Sequence, residues 1–199
     1  MNVTARSTAP FINHVLDFWF GPTDGDHYGE MREAWFKKDP EFDGDIRQNF
    51  LDDHRRAGAG ELDHLAATAE GALALIIVLD QFSRNMFRET PGMYAADPKA
   101  LTMARDAMDR GIDQQLIPVQ RVFIYLPFEH SEVLADQQIS VELFGALPAI
   151  PNRDEGIKAA LRHHEIIKRF ARFPHRNHIL GRETTPEETE FLKEPHSSF

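Results

Sequence analysis

Glu129 and His130 stand side by side in the stretch LPFEHSEVLADQQ, residues 126–138, with Glu132, Asp136 and Gln137 close behind them. A histidine among carboxylates is equipment for proton transfer, because burial and neighbouring charge move either pKa toward the working pH. Related groups recur elsewhere: Asp80, Arg84 and Asn85 in LDQFSRN, His163 and His164 in RHHE, and His175, Arg176 and Asn177 in PHRN. Their surroundings are apolar, with VFIY ahead of the first stretch and VELFGAL behind it. Polar groups in core-like segments need partners.

The elements that must position these groups read as helices. Taken as one helix at about 100° per residue, the stretch from Leu126 to Phe144 gathers Leu126, Val133, Leu134, Val141 and Phe144 in one arc. His130 and Gln137 fall inside that arc, and Glu129, Glu132, Asp136 and Ser140 form a stripe beside it. A helix over residues 70–88 is apolar all round in its first half. It then places Asp80 among Leu73, Ile76, Ile77 and Phe87, with Arg84 four residues on, at pairing distance along a helix. A third helix, 154–173, centres His163 on an arc of Ala159, Ala160, Ile166, Ile167 and Phe170. Three helices thus each carry polar groups on a face that ought to be apolar. The economical solution is that these faces meet, which predicts an internal network of Asp80, Arg84, Glu129, His130, Gln137 and His163.

The rest of the chain supports an all-α fold. Helices start at Pro10, at the cap-plus-proline pairs Asp39-Pro40 and Asp97-Pro98, at Pro118, and at the capping box Thr185-Pro-Glu-Glu188. Pro127 either kinks its helix or begins the next, and PAIPN, residues 148–152, is a turn. Trp19, Phe20, Trp35, Phe36, Phe82 and Phe87 read as core, and the terminal PHSSF as frayed. Short breaks favour antiparallel neighbours. The expected architecture is antiparallel helix pairs in a single domain over residues 1–199.

Composition narrows the function classes. A net charge of -10 over 199 residues argues against nucleic acid as a partner. With no cysteine, thiol catalysis, disulfides and cysteine-type zinc sites are excluded. The N-terminal MNVTARSTAP has no apolar signal core, and ALALIIVL, residues 72–79, is too short to span a bilayer. The expectation is a cytoplasmic protein with no membrane partner. There is no HExxH, and Glu129-x-x-Glu132 is not the Glu-x-x-His of di-iron bundles. No metal and no cofactor are expected, and no G-x-S-x-G offers a nucleophile.

The segments LALIIVLDQFSRNMFR, RVFIYLPFEHSE and RFARFPHRNHILGRETT, with WF near the start and DPKAL before Leu101, resemble the bacterial domain of unknown function family 924. The resemblance spans nearly the whole chain. It implies a tetratricopeptide-like superhelical bundle of stacked antiparallel helix pairs with a concave side, and it supplies no catalytic residues. Family members usually read DQFPRN where this chain has Ser83. Without that proline the helix is expected to run straighter.

The leading reading is a binding module whose polar pocket takes a small anionic ligand or an acidic peptide end. Its expected lining is Asp80, Arg84, Asn85, Glu129, His130, Gln137, His163, His175, Arg176 and Asn177. Arg169, Arg172, His175, Arg176, His178 and Arg182 concentrate positive charge near it, with His175 to Asn177 on a loop after Pro174. The alternatives are an enzyme, perhaps a hydrolase, using His130, His163 or Glu129, and a structural scaffold for a protein partner.

Overall fold

The apolar run after Thr68 sets the architecture. In the computed structural model, which describes residues 9–199, this run is the central helix α3, residues 69–86. Thr68 caps it by accepting the Gly71 N–H. Leu73 through Leu79 are wholly enclosed. Ile76, Ile77 and Val78 are poor helix formers, so burial holds them helical, at roughly 1.5–3 kcal/mol per enclosed aliphatic side chain. Around α3 pack α1 (Ala9–Phe20), α2 (Pro40–Gly58), α4 (Asp97–Asp109) and α5 (Pro118–Glu129). The chain continues through α6 (Leu134–Ala146), which packs on α5, and α7 (Arg153–Phe170), which packs on α6. The short helices α8 (Asn177–Leu180) and α9 (Pro186–Phe191) complete it. The described residues contain no strand.

Trp19 is the hub of an aromatic core, with ring centroids 5.8 Å from Trp35 and 5.5 Å from both Phe82 and Phe123. Trp35 Nε1 donates to the Trp19 carbonyl at 2.9 Å, and Arg32 donates to the same oxygen, tying the segment after α1 to its end. Asp39 and Thr185 act as helix caps through their side chains. Asp97 does not. Its carboxylate is engaged by Arg84, and α4 starts without a side-chain cap.

Several expectations need correction. The stretch from Leu126 to Phe144 is two helices. Pro127 removes an N–H from the last turn of α5, which ends at Glu129. Gln137 Nε2 then takes the freed carbonyls of Glu129 at 2.6 Å and Ser131 at 2.7 Å. The break rotates Val133 and Leu134 outward, and both are exposed. The helix before Ser83 is not a regular α-helix: the preceding turn, Ile77–Gln81, is a π-turn in which the Phe82 N–H reaches back five residues to the Ile77 carbonyl. His175 and Arg176 sit on a 3-10 turn and Asn177 opens α8, so they are not on a loop. Phe36 is exposed because Trp35 takes the inward position. In PHSSF only Ser197 is buried, and Phe199 stacks on the His163 ring at 3.8 Å while remaining 52% exposed.

Gly71 is the most closely packed glycine of the described residues. A Cβ there would lie 2.0 Å from the Leu65 carbonyl oxygen, whereas one at exposed Gly44 in α2 would meet nothing within 4 Å. Gly71→Ala should cost about 3 kcal/mol in urea denaturation, through overpacking against backbone. Gly44→Ala should stabilise by about 0.5–1 kcal/mol. Equal midpoints for the two variants would refute this packing.

Candidate functional site

A cavity of about 590 Å³ lies against the C-terminal half of α3, the end of α5, and α7. That is within the range of small-molecule sites, about 300–1,000 Å³. Part of its wall is apolar, including Trp35, Val122, Leu126, Phe144, Leu147 and Ile150. The rest carries Arg84, Asn85, Arg88, Glu129, His130, His163, His175 and Arg176.

Asp80 lies behind this wall, 1% exposed, in the π-turn of α3. Such turns recur at functional sites because the extra residue re-aims side chains. Burial alone would drive the Asp80 proton on. The Arg84 guanidinium at 3.0 Å, the His130 Nδ1 at 2.8 Å and the Gln81 amide at 2.6 Å outweigh it, and the carboxyl is held well below its ordinary pKa. Arg84 also forks onto Asp97 at 2.9 and 3.1 Å, and these two carboxylates keep it charged against burial. Arg88 and Asn85 share Asp43 of α2.

His130 is kept neutral by burial and by the Arg84 charge. Its Nδ1 faces the Asp80 carboxylate and so carries the proton, which makes Nε2 the lone-pair nitrogen. Nε2 makes no hydrogen bond among the described residues.

Glu129 is the opposite case. It is 4% exposed, and burial together with the nearby Asp80 charge pushes its pKa up to about 8. At neutral pH it is a carboxylic acid. The His163 Nδ1–H donates to the Ala159 carbonyl at 2.9 Å and lies 3.4 Å from Glu129 Oε1. That N–H is spent on the carbonyl, so it leaves Oε1 without a hydrogen bond among the described residues. Oε2 is buried and has no partner among the described residues. Burial likewise lowers His163 and His175 to about 3, so both rings are uncharged.

Arg176 is 7% exposed, and its guanidinium carbon lies over two rings, 4.4 Å from the Tyr94 centroid and 4.5 Å from that of Phe173. Its Nη1 is 3.5 Å from Asp97, already engaged by Arg84, and its buried Nε has no partner. The Arg176 guanidinium donates no hydrogen bond among the described residues.

The structure therefore brings Arg84, Asn85, Glu129, His130, His163, His175 and Arg176 to one cavity, with Asp80 supporting them. It does not bring Gln137, which is spent on the α5 carbonyls, or Asn177, which joins Glu188 at 3.3 Å and accepts from Arg182 at 3.0 Å. The other basic residues of that segment are consumed in ion pairs: Arg169 with Glu187, Arg172 with Glu188 and Arg182 with Glu132. Sequence reasoning missed Tyr94, Asp97, Arg88 and Phe173. Only Asp97 carried a signal, and it pointed to a helix cap. Among the described residues, no three His, Asp or Glu side chains come together to hold a metal ion.

Fold and site together define an all-helical protein with a half-apolar cavity whose polar wall offers an acid, an imidazole and a guanidinium. The chain belongs to the family described as bacterial protein of unknown function (DUF924), whose model matches residues 15–196. A solved structure, that of ATU0120, a protein of unknown function from Agrobacterium tumefaciens, is similar with a TM-score of 0.83 and 42% identity. The match covers 94% of this chain and 99% of that one. No curated protein matches. Among the described residues no helix is long and apolar enough to cross a membrane.

Glu129 gives the site a pH signature. Its folded pKa of about 8 lies above the ordinary 4.5, so the folded state holds a proton that the unfolded state releases, and stability falls as pH rises. The neutral histidines act only below about pH 6.5, their unfolded value. Between about pH 6.5 and pH 8 the wild type should lose roughly 2 kcal/mol relative to Glu129→Gln in chemical denaturation. Parallel pH profiles would show Glu129 to be ionised in the fold.

Proposed function

We propose that the protein binds a small organic anion with an apolar body in this cavity, its anionic end on Arg176. The observation that carries the reading is the state of that side chain. A guanidinium lying over two rings keeps its N–H groups in its own plane, where a carboxylate or phosphate can accept two of them. Here that edge makes no hydrogen bond to the protein among the described residues, and a buried unsatisfied donor is costly. An anion would supply what is missing.

The electrostatics permit it although the chain is acidic. Arg84, Arg88 and Arg176 balance Asp80, Asp97 and Asp43, and Glu129 is uncharged, so these groups carry no net negative charge. Val122, Leu126, Phe144 and Leu147 offer cover to an apolar body. A cavity of about 590 Å³ suits a small molecule better than a peptide end. The packing of α4 on α5, α5 on α6 and α6 on α7 supports a tetratricopeptide-like stacking as the scaffold.

A thermal-shift series tests this. Branched-chain and aromatic monocarboxylates should stabilise the protein more than acetate or inorganic phosphate. A ligand at about 100 times its Kd contributes about 2.7 kcal/mol. Arg176→Ala should abolish the shift, and Arg176→Lys should lose most of it, because an ammonium lacks the planar fork. A panel without effect, or shifts unchanged in Arg176→Ala, would remove the anion site.

A further inference from the structure

Three groups of different chemical character face the same cavity, and their protonation follows from their partners. Arg176 presents guanidinium N–H donors. Glu129 presents a protonated carboxyl, with Oε2 sealed and orphaned on the inner side and Oε1 left free because the His163 Nδ1–H is spent on Ala159. His130 presents the Nε2 lone pair, since Nδ1–H is held by Asp80 at 2.8 Å. A contact chain joins the outer two, running from Arg176 to Asp97 at 3.5 Å, Arg84 at 2.9 Å, Asp80 at 3.0 Å and His130 at 2.8 Å. Among the described residues the wall contains no serine, threonine or cysteine. What these groups offer is a positioned base, a positioned acid and an anion clamp.

A molecule that satisfies all three needs a carboxylate for Arg176, an adjacent oxygen that accepts from Glu129, and a transferable proton for His130. The smallest arrangement is a 2-oxo acid with hydrogen on the carbon beyond its carbonyl. Its side chain then falls to the apolar wall.

Building on the anion-binding reading, we propose that the cavity catalyses keto–enol tautomerisation of 2-oxo acids with an apolar side chain, His130 Nε2 acting as base and the Glu129 carboxyl as acid. The C3–H bond breaks and its proton passes to Nε2. The released pair forms the C2–C3 double bond, and the carbonyl π pair takes the Glu129 proton to give the enol. The enol is an isomer of the ketone, so no co-reactant is consumed. His130 then returns its proton to water and Glu129 takes one back, restoring the starting state. Asp80 is a positioning residue: it fixes the tautomer that leaves Nε2 basic. The charged and titratable groups around the acid are Asp80 and Arg84 from α3, His163 from α7, and His175 and Arg176 from the turn before α8. Burial dominates among their effects and keeps Glu129 protonated to about pH 8.

The test follows the C3 protons of 4-methyl-2-oxopentanoate by proton NMR in D2O, with binding read in parallel by thermal shift. Wild-type protein should exchange them at least about 100-fold faster than an equal concentration of imidazole, and the rate should fall above about pH 8. His130→Gln should exchange at the imidazole rate while keeping the thermal shift. Glu129→Gln, which retains a donor but no acid, should be slowed about 10-fold or more and lose the alkaline fall. 2-Hydroxy-4-methylpentanoate should bind, compete and exchange nothing. A thermal shift with exchange at the buffer rate overturns the catalytic proposal and leaves the binding site standing. No shift with either acid overturns both. Wild-type exchange in His130→Gln removes His130 as the base.

Discussion

An ionised carboxylate inside an apolar helix must be surrounded by donors, because an uncompensated charge there costs several kcal/mol. Asp80 imposes that constraint on this fold. Its neighbours Gln81 and Arg84 come from the same helix, and His130 comes from the end of α5. The consequences spread outward. Arg84 is held by Asp80 and so fixes Asp97 at the start of α4, while Asp97 stands near Arg176 ahead of α8. Four separate parts of the chain are thus registered against one another by a single buried charge. The cavity opens where that chain of contacts stops.

The uncharged groups follow from the same constraint. Burial first, and then the ionised Asp80 nearby, make a second negative charge on Glu129 unfavourable, and the carboxyl stays protonated. Burial keeps His130, His163 and His175 neutral, reinforced by the Arg84 charge at His130 and the Arg176 charge at the other two. The wall therefore holds its acid in the acid form and its bases in the base form at the same pH. Side chains in water would do the reverse: a carboxyl would ionise near 4 and imidazoles would titrate near neutrality.

The sequence made the helices legible because three-residue and four-residue spacing records burial directly. It made Asp80, His130 and His163 legible because a polar residue on an apolar arc has few places to go. It failed where geometry depends on one residue of register. The Ser131 to Val133 break is set by Pro127 and by the Gln137 amide, a contact between residues that a continuous helical wheel keeps apart. It failed again for charge. Nothing local distinguishes Arg176, its guanidinium over two rings and without a hydrogen bond, from Arg172 and Arg182, whose forks are filled by Glu188 and Glu132. Pairing of that kind is decided by residues far apart in the chain. Tyr94 and Phe173 were invisible for the same reason.

The widened turn at Ile77–Gln81 has a consequence for how this architecture can change. It holds one residue more than an ordinary α-turn, and its five residues make the sweep that four make in a regular helix, so Phe82–Met86 keeps the facing that an unbroken helix would give it. Deleting one residue of the five would leave a regular helix with Arg84 and Asn85 still turned to the cavity, but without the bulge that aims Asp80 at His130. A single-codon loss here would leave the bundle standing and disturb its buried charge, so sequence length across this turn is as much a marker of the site as the identity of any side chain in it.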